Sequence, residues 1–236
     1  MSALWDVIKA LFNQSNPTFD SARDIPSLTG RVILLSGANT GIGKQTALEL
    51  AKHDPAQVWV GERNLQTGRQ ALSDIQAVAS PKTAVELLEL DLTSLMSVKA
   101  AARKLVAQSD RLDILVLNEW GPWETAKRPV KGTEPHALRL SSDSYKTSVV
   151  PKTGIDFDTL KTERSQYSGI TKYCQSKLAN TVYAAPIVKL YPQFTTLAIL
   201  ENSIGKKDTE SDAVREGKLK KRLWEWTKSE LEGHAL

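Results

Sequence analysis

A chain of 236 residues, 41% of them hydrophobic, is long enough to bury one sizeable α/β core, and one domain is the simplest division. Its 31 basic and 27 acidic residues leave a formal charge of +4 and are scattered without a dense basic block, which argues against a nucleic-acid-binding class. The single Cys174 excludes an intrachain disulfide and fits a reducing, cytoplasmic setting, while His53, His136 and His234 lack metal-ligand spacing, so no metal is expected.

Taken in chain order, Leu4, Val7, Ile8 and Leu11 recur at helical spacing, but the run is too short and too charged to span a membrane. An amphipathic helix against the domain is expected, with weak interfacial anchoring through Trp5 and Phe12 as the alternative. Residues 1–29 then read as a helix and linker, 30–200 as the main domain and 201–236 as a charged tail. The apolar run Val32–Leu35, bounded by Gly30 and Gly37, predicts a buried strand feeding a tight turn. Ala47, Leu48, Leu50 and Ala51 place a helix over 42–53 against a sheet. A second strand is expected over 58–61, a helix over 65–78, and a third strand over 84–90 ending at Asp91. Ser94 suits a helix start before Val98, Ala101, Ala102 and Leu105, and 112–117 reads as the fourth strand. Strands alternating with helices at this spacing predict a Rossmann-like, doubly wound parallel sheet with right-handed crossovers. Beyond it, a helical stretch over 165–190 must kink or end at Pro186, and 195–200 reads as another buried strand. In the tail, Leu219, Leu223 and Trp226 share one helical stripe, and no further strand is evident.

Two short stretches carry chemistry. The turn Ser36-Gly37-Ala38-Asn39-Thr40-Gly41-Ile42-Gly43 lies between the first strand and the first helix, where backbone can approach a pyrophosphate and the helix N-terminus offers unpaired N–H groups. The second stretch, Tyr173-Cys174-Gln175-Ser176-Lys177, places a phenol and an ammonium one helical turn apart, so both can face one cleft. A phenol of ordinary pKa near 10 needs a shift of about three units, or about 4 kcal/mol, to act as a base at neutral pH. A cation about 4 Å away at an effective dielectric near 20 supplies roughly that amount.

The glycine spacing, with Ser36 ahead of it, resembles the short-chain dehydrogenase/reductase family, and the likeness continues through Asp91-Leu92, Asn118, Ser142 and Tyr173-x-x-x-Lys177 in the family's order. The run Gln175-Ser176-Lys177-Leu178-Ala179-Asn180 is similar to the retinol-dehydrogenase-like and fungal reductase subset. The resemblance implies an oxidoreductase interconverting a ketone or aldehyde and an alcohol, with a place in secondary metabolism. In that reading Tyr173 exchanges the proton, Lys177 also holds the nicotinamide ribose, and Ser142 hydrogen-bonds the substrate oxygen. Gly37, Asn39, Gly41, Ile42, Gly43, Lys44, Glu62, Arg63, Asp91, Leu92, Asn118, Tyr173 and Lys177 would line the cofactor site. Glu62 favours NAD, because a carboxylate accepts from a ribose 2'-hydroxyl. Arg63 and Lys44 favour the phosphate of NADP, which the subset commonly uses. NADP is the expectation and NAD the alternative.

The pattern breaks twice. Between Glu119 and His136 the chain carries Pro122, Pro129 and Pro135 with Gly121 and Gly132, so the family's long helix between the fourth and fifth strands is not expected. Glu119-Trp120 also stand where a small residue beside the nicotinamide is usual. After Leu200, Glu201-Asn202-Ser203-Ile204-Gly205 replaces the family's Pro-Gly turn, and the usual last strand is not expected. A catalytically impaired relative that binds a dinucleotide or a partner is therefore the second reading, and the oligomeric state is left open.

Overall fold

The computed structural model describes residues 20–118, 154–158, 167–168, 171–172, 174–180, 182 and 218–232. It also describes the backbone of two strands, 136–142 and 195–201. In chain order the elements are α1 Ser21–Asp24, β1 Val32–Ser36, α2 Gly41–Ala51, β2 Gln57–Glu62, α3 Leu65–Val78, β3 Ala84–Glu89, α4 Leu95–Gln108, β4 Ile114–Leu117, β5 His136–Ser142, β6 Thr195–Glu201 and α5 Lys218–Leu231. Residues 174–180 add a helical run between β5 and β6.

All six strands are parallel, in the order β3-β2-β1-β4-β5-β6. That order reverses direction between β1 and β4, which is the topological switch of a doubly wound sheet. The strand interiors are apolar on both faces because helices cover both. Ile33, Leu35, Val58, Val60, Ile114 and Val116 point to one side and meet Ala47, Leu50 and Ala51 of α2 and Ile75 of α3. Val32, Trp59 and Leu88 point to the other and meet Val98, Ala101 and Leu105 of α4. This is the two-residue alternation of a strand serving two helix layers at once.

Local chemistry fixes the helix ends. Asn64 caps α3 by accepting from the N–H groups of Gln66 and Thr67, and Ser94 caps α4 by accepting from Ser97 N–H. The expected helix over 42–53 begins one residue earlier, at Gly41, and ends at Ala51. The strand expected over 112–117 begins at Ile114 because Asp113 turns its side chain to another task.

Asp113 is 1% exposed at the amino edge of the sheet. Its carboxylate accepts from Val32 N–H at 2.9 Å, from Arg31 at 3.1 Å and from Nε of Arg111 at 2.8 Å, which ties β4 to the start of β1. Burial alone would push this carboxyl up, but the hydrogen bonds from Arg111, Val32 and Arg31 outweigh it and hold the group below its ordinary range. A carboxyl depressed in the folded state contributes stability that is present above its unfolded pKa of about 3.9 and is lost as pH falls through the folded value. Asp113→Asn is expected to cost about 2–3 kcal/mol at neutral pH, a fall of roughly 4–12 °C in thermal midpoint. The gap between wild type and variant should close as thermal unfolding is followed below about pH 4.

The stripe expected in the tail is present. Leu219 and Leu223 of α5 are buried, and Trp226 packs beside them, against Ile155, Phe157, Leu178, Ala179 and Val182. The Arg222 guanidinium lies over the Phe157 ring at 4.6 Å. α5 therefore seals the outer side of the helical run that carries Lys177. The 165–190 stretch is described in part, at residues 167–168, 171–172, 174–180 and 182. Residues 4–12, the 119–135 link, Pro186 and residues 202–217 lie outside the described residues. Among those described, no helix is long and apolar enough to cross a membrane.

Candidate functional site

The carboxyl edge of the sheet carries the turn singled out by its glycines. Gly37 and Gly41 hold φ values of +63° and +57°, in the left-handed region where a side chain is strained, so the chain can reverse sharply between β1 and α2. Gly43 meets a different demand, close approach. A Cβ there would collide with the Gly37 carbonyl oxygen and with Nδ2 of Asn118. Asn118, just past the end of β4, donates from Nδ2 to the Gly37 carbonyl at 2.9 Å and from its backbone N–H to Oγ of Ser36 at 3.3 Å. The turn is thus braced across the gap between β1 and β4, where the strand order reverses.

The N-cap of α2 is Thr40, whose side chain makes no capping hydrogen bond, and the first turn of α2 holds no acidic residue. The first turn of α2 therefore supplies no counter-ion of its own to the positive partial charge of the helix end. Ile42 stands beside it, 41% exposed.

Glu62 ends β2 and is 3% exposed. The backbone N–H groups of Ala38 and Asn39 face its carboxylate, and burial pushes the carboxyl up from its ordinary value against their opposing effect. Its Oε1 is buried without a hydrogen-bond partner. A carboxylate at the end of β2 beside a glycine turn stands where dinucleotide-binding folds place a ribose-hydroxyl acceptor. Gly68 of α3 makes room for it, since a Cβ there would lie 3.2 Å from Cβ and 3.4 Å from Cγ of Glu62. Arg63, the next residue, is exposed.

Other candidate residues are differently engaged. The Lys44 ammonium is ion-paired with Asp74 of α3. Asp91 folds back on its own loop, accepting from Thr93 N–H at 2.9 Å and Thr93 Oγ1 at 2.7 Å, and these hydrogen bonds hold its carboxyl below its ordinary range. Asn39 donates from Nδ2 to Thr67 Oγ1 at 3.4 Å, and Leu92 packs against the cluster beneath α4. Ser142 is the last residue of β5, paired in register with Glu201 of β6, so it occupies the same carboxyl edge as Gly37 and Asn118. Lys177 is 4% exposed within the 174–180 run, an uncommon degree of burial for an ammonium. Tyr173 lies outside the described residues.

Three contributors carried no sequence signal strong enough to be found. Ala38 acts through its backbone N–H, which no residue type announces. Gly68 reads as an ordinary helix glycine until Glu62 is seen against it. Gln175, 4% exposed, accepts from Asp156 N–H at 2.8 Å and so ties the Lys177 helix to the loop at 154–158.

A braced glycine turn and a helix N-terminus without a side-chain cap at the switch point of a parallel sheet are the arrangement of the doubly wound α/β fold class. Residues 31–127 match the short chain dehydrogenase family. The chain is 30% identical over 201 residues to the short-chain dehydrogenase/reductase drtF of Aspergillus calidoustus, covering 71% of this chain and 62% of that one. It is 33% identical over 184 residues to retinol dehydrogenase 13 of Mus musculus, covering 66% and 53%, and 29% identical over 218 residues to retinol dehydrogenase 12 of Homo sapiens, covering 84% and 67%. The chain thus spans between about half and two thirds of the length of these relatives. Among solved structures, its fold is similar to short-chain type dehydrogenase/reductases from Mycobacterium ulcerans and Mycobacterium marinum. For these the TM-scores are 0.54 and 0.52 and the identities 15% and 20%, with 80% and 74% of this chain covered and 75% and 74% of theirs. The chain belongs to the short-chain dehydrogenase/reductase family.

Proposed function

We propose that the protein is an oxidoreductase that interconverts a ketone or aldehyde and the corresponding alcohol with a nicotinamide dinucleotide. The observation that carries this reading is the brace from Asn118 to Gly37, which holds a glycine turn and a bare helix N-terminus over the switch point. A bound dinucleotide would place its diphosphate against the N–H groups at the start of α2, and its nicotinamide would supply the hydride chemistry. The chain's own groups then handle the proton and the substrate oxygen. Tyr173 moves the proton at its phenol oxygen, the buried Lys177 lowers the cost of the phenolate and holds the nicotinamide ribose, and Ser142 holds the substrate oxygen. The substrate is a small-molecule carbonyl or alcohol, in keeping with a role in secondary metabolism and a cytoplasmic setting.

NADP remains the cofactor suggested by the family resemblance and by Arg63, an exposed cation on the residue after β2. Two observations favour NAD as the alternative: a carboxylate, Glu62, ends β2 beside the turn, and the Lys44 charge is already paired with Asp74. A second reading, a dinucleotide-binding relative without turnover, is favoured by Pro122, Pro129 and Pro135 in the link after β4.

Thermal unfolding in the presence of NADP or NAD tests the reading. Nucleotide at about a hundred times its Kd is expected to add about 2.7 kcal/mol, raising the midpoint by roughly 5–10 °C. A carbonyl panel should then show substrate-dependent loss of the reduced nicotinamide absorbance. A folded protein whose midpoint neither nucleotide moves would refute the proposal, and stabilisation without turnover on any carbonyl would establish the second reading instead.

A further inference from the structure

The helical run that carries Lys177 packs through one face. Gln175, Leu178, Ala179 and Val182 recur at the i, i+3, i+4, i+7 spacing of a single stripe. Leu178, Ala179 and Val182 pack with Ile155 and Phe157 of the loop at 154–158 and with Leu219 and Leu223 of α5. The first slot of such a stripe calls for an apolar side chain, yet the chain puts a carboxamide there. Gln175 is buried all the same, and its Oε1 accepts from Asp156 N–H at 2.8 Å.

The two kinds of contact do different work. Apolar contact is non-directional, so a helix held by Leu178, Ala179 and Val182 alone can slide or roll slightly and still bury them. A hydrogen bond is directional and tolerates much less movement. The donor is itself anchored. The Asp156 carboxylate accepts from Asp158 N–H at 3.2 Å, and a Cβ at Gly154 would stand 3.0 Å from Leu219 and 3.4 Å from Leu178, so the loop is closed in against both helices.

We infer that Gln175 is a positioning residue: through Asp156 N–H it fixes the axial and rotational setting of its helix, and with it the Lys177 ammonium. Lys177 follows two positions later, so the helical repeat carries it about 200° round, to the side away from the packed stripe. Any roll on that stripe displaces it. This role rests on the reading of Lys177 as the cation that favours the Tyr173 phenolate. An ammonium drawn back by about 1 Å from about 4 Å, at an effective dielectric near 20, loses about a fifth of its hold, and the phenol pKa rises by about 0.6 unit. At a fixed pH below that pKa the phenolate fraction then falls about fourfold.

Two variants of the full chain separate position from packing. Gln175→Met keeps the length and removes the acceptor, while Gln175→Asn keeps the amide and is one methylene too short for the bond. Methionine suits the apolar stripe and asparagine does not, so their thermal midpoints should differ. Their effect on the phenol should be the same. Ultraviolet titration of each protein without nucleotide, taken as the difference from the same protein carrying Tyr173→Phe, reads the Tyr173 phenolate directly. In both variants that titration should move upward by about half a unit or more, the acid limb of the rate profile for alcohol oxidation should move with it, and kcat at neutral pH should fall about three- to tenfold. A phenol titration and an acid limb that stay at their wild-type pH in a folded variant, or that track the thermal midpoint instead of the loss of the bond, overturn the positioning role and leave the proton-transfer pair standing. A folded wild type whose Tyr173 titrates near its ordinary value of about 10 and that turns over no carbonyl or alcohol overturns the pair and the positioning role together.

Discussion

Gly43→Ala is expected to reduce nucleotide affinity by more than about tenfold and to cost the apo protein about 1–3 kcal/mol, the usual penalty for overpacking a tight contact. The added methyl would meet the Gly37 carbonyl oxygen and Asn118 Nδ2, and the Gly37 carbonyl carbon at 3.0 Å. Neither obstacle is the loose end of a flexible side chain. The first is backbone in a turn, and the second is hydrogen-bonded to that same backbone. The turn must therefore move away from β4, which opens the brace and redirects the N–H groups at the start of α2. Alanine's better helix propensity returns at most about 1 kcal/mol. Gly41→Ala is the informative control: nothing lies within 4 Å of a Cβ there, and the strain comes from its φ of +57° alone. It should cost about 1–2 kcal/mol in stability by the left-handed penalty while keeping more of the nucleotide response. Thermal midpoints of both variants with and without NADP separate the two effects, and a full nucleotide shift in a folded Gly43→Ala protein would show that the brace is not the cradle.

The two glycines illustrate what the sequence makes legible. Apolar runs of strand length, bounded by glycines and by the cap Ser94, mark the elements from β1 to β4, because each is decided by residues within a few positions of itself. The helix expected over 65–78 matches α3 in full for this reason. Features that depend on groups distant in the chain are not readable in that way. Lys44 reads as a free cation near the phosphates until α3 brings Asp74 to it, 30 residues on. Asp113 reads as part of the strand expected over 112–117 until folding sets it between Arg31, Arg111 and the start of β1. Glu62 reads in the sequence as an acceptor for a ribose hydroxyl, which says nothing of its depth, whereas the fold buries it against the turn and leaves one oxygen without a partner. Motif order found the family and the edge of the sheet. It could not say which charges are already engaged, and that decides how a site treats a phosphate.

Tyr173→Phe is expected to lower kcat by about 10²–10⁴-fold, the contribution usual for a positioned proton-transfer group, while leaving nucleotide-dependent stabilisation unchanged. The substitution removes one oxygen and nothing that the diphosphate would touch. Lys177→Met makes the complementary case. Lys177 is 4% exposed, beside Leu178 and Ala179, which α5 covers, so its ammonium is held in a setting where charge acts strongly on a neighbour. A cation favours the phenolate and so lowers the phenol pKa; its removal returns the phenol toward its ordinary value near 10. At a fixed pH below that value the reactive phenolate fraction then falls about tenfold for each unit regained, and the acid limb of the rate profile for alcohol oxidation moves upward in pH. Methionine fills the space of the lysine stem, so α5 and the loop at 154–158 keep their packing and the loss reports charge rather than collapse. The pair of profiles is therefore decisive: Tyr173→Phe should erase the limb, and Lys177→Met should displace it. A Lys177→Met enzyme with an undisplaced limb would show that this buried ammonium serves the fold alone.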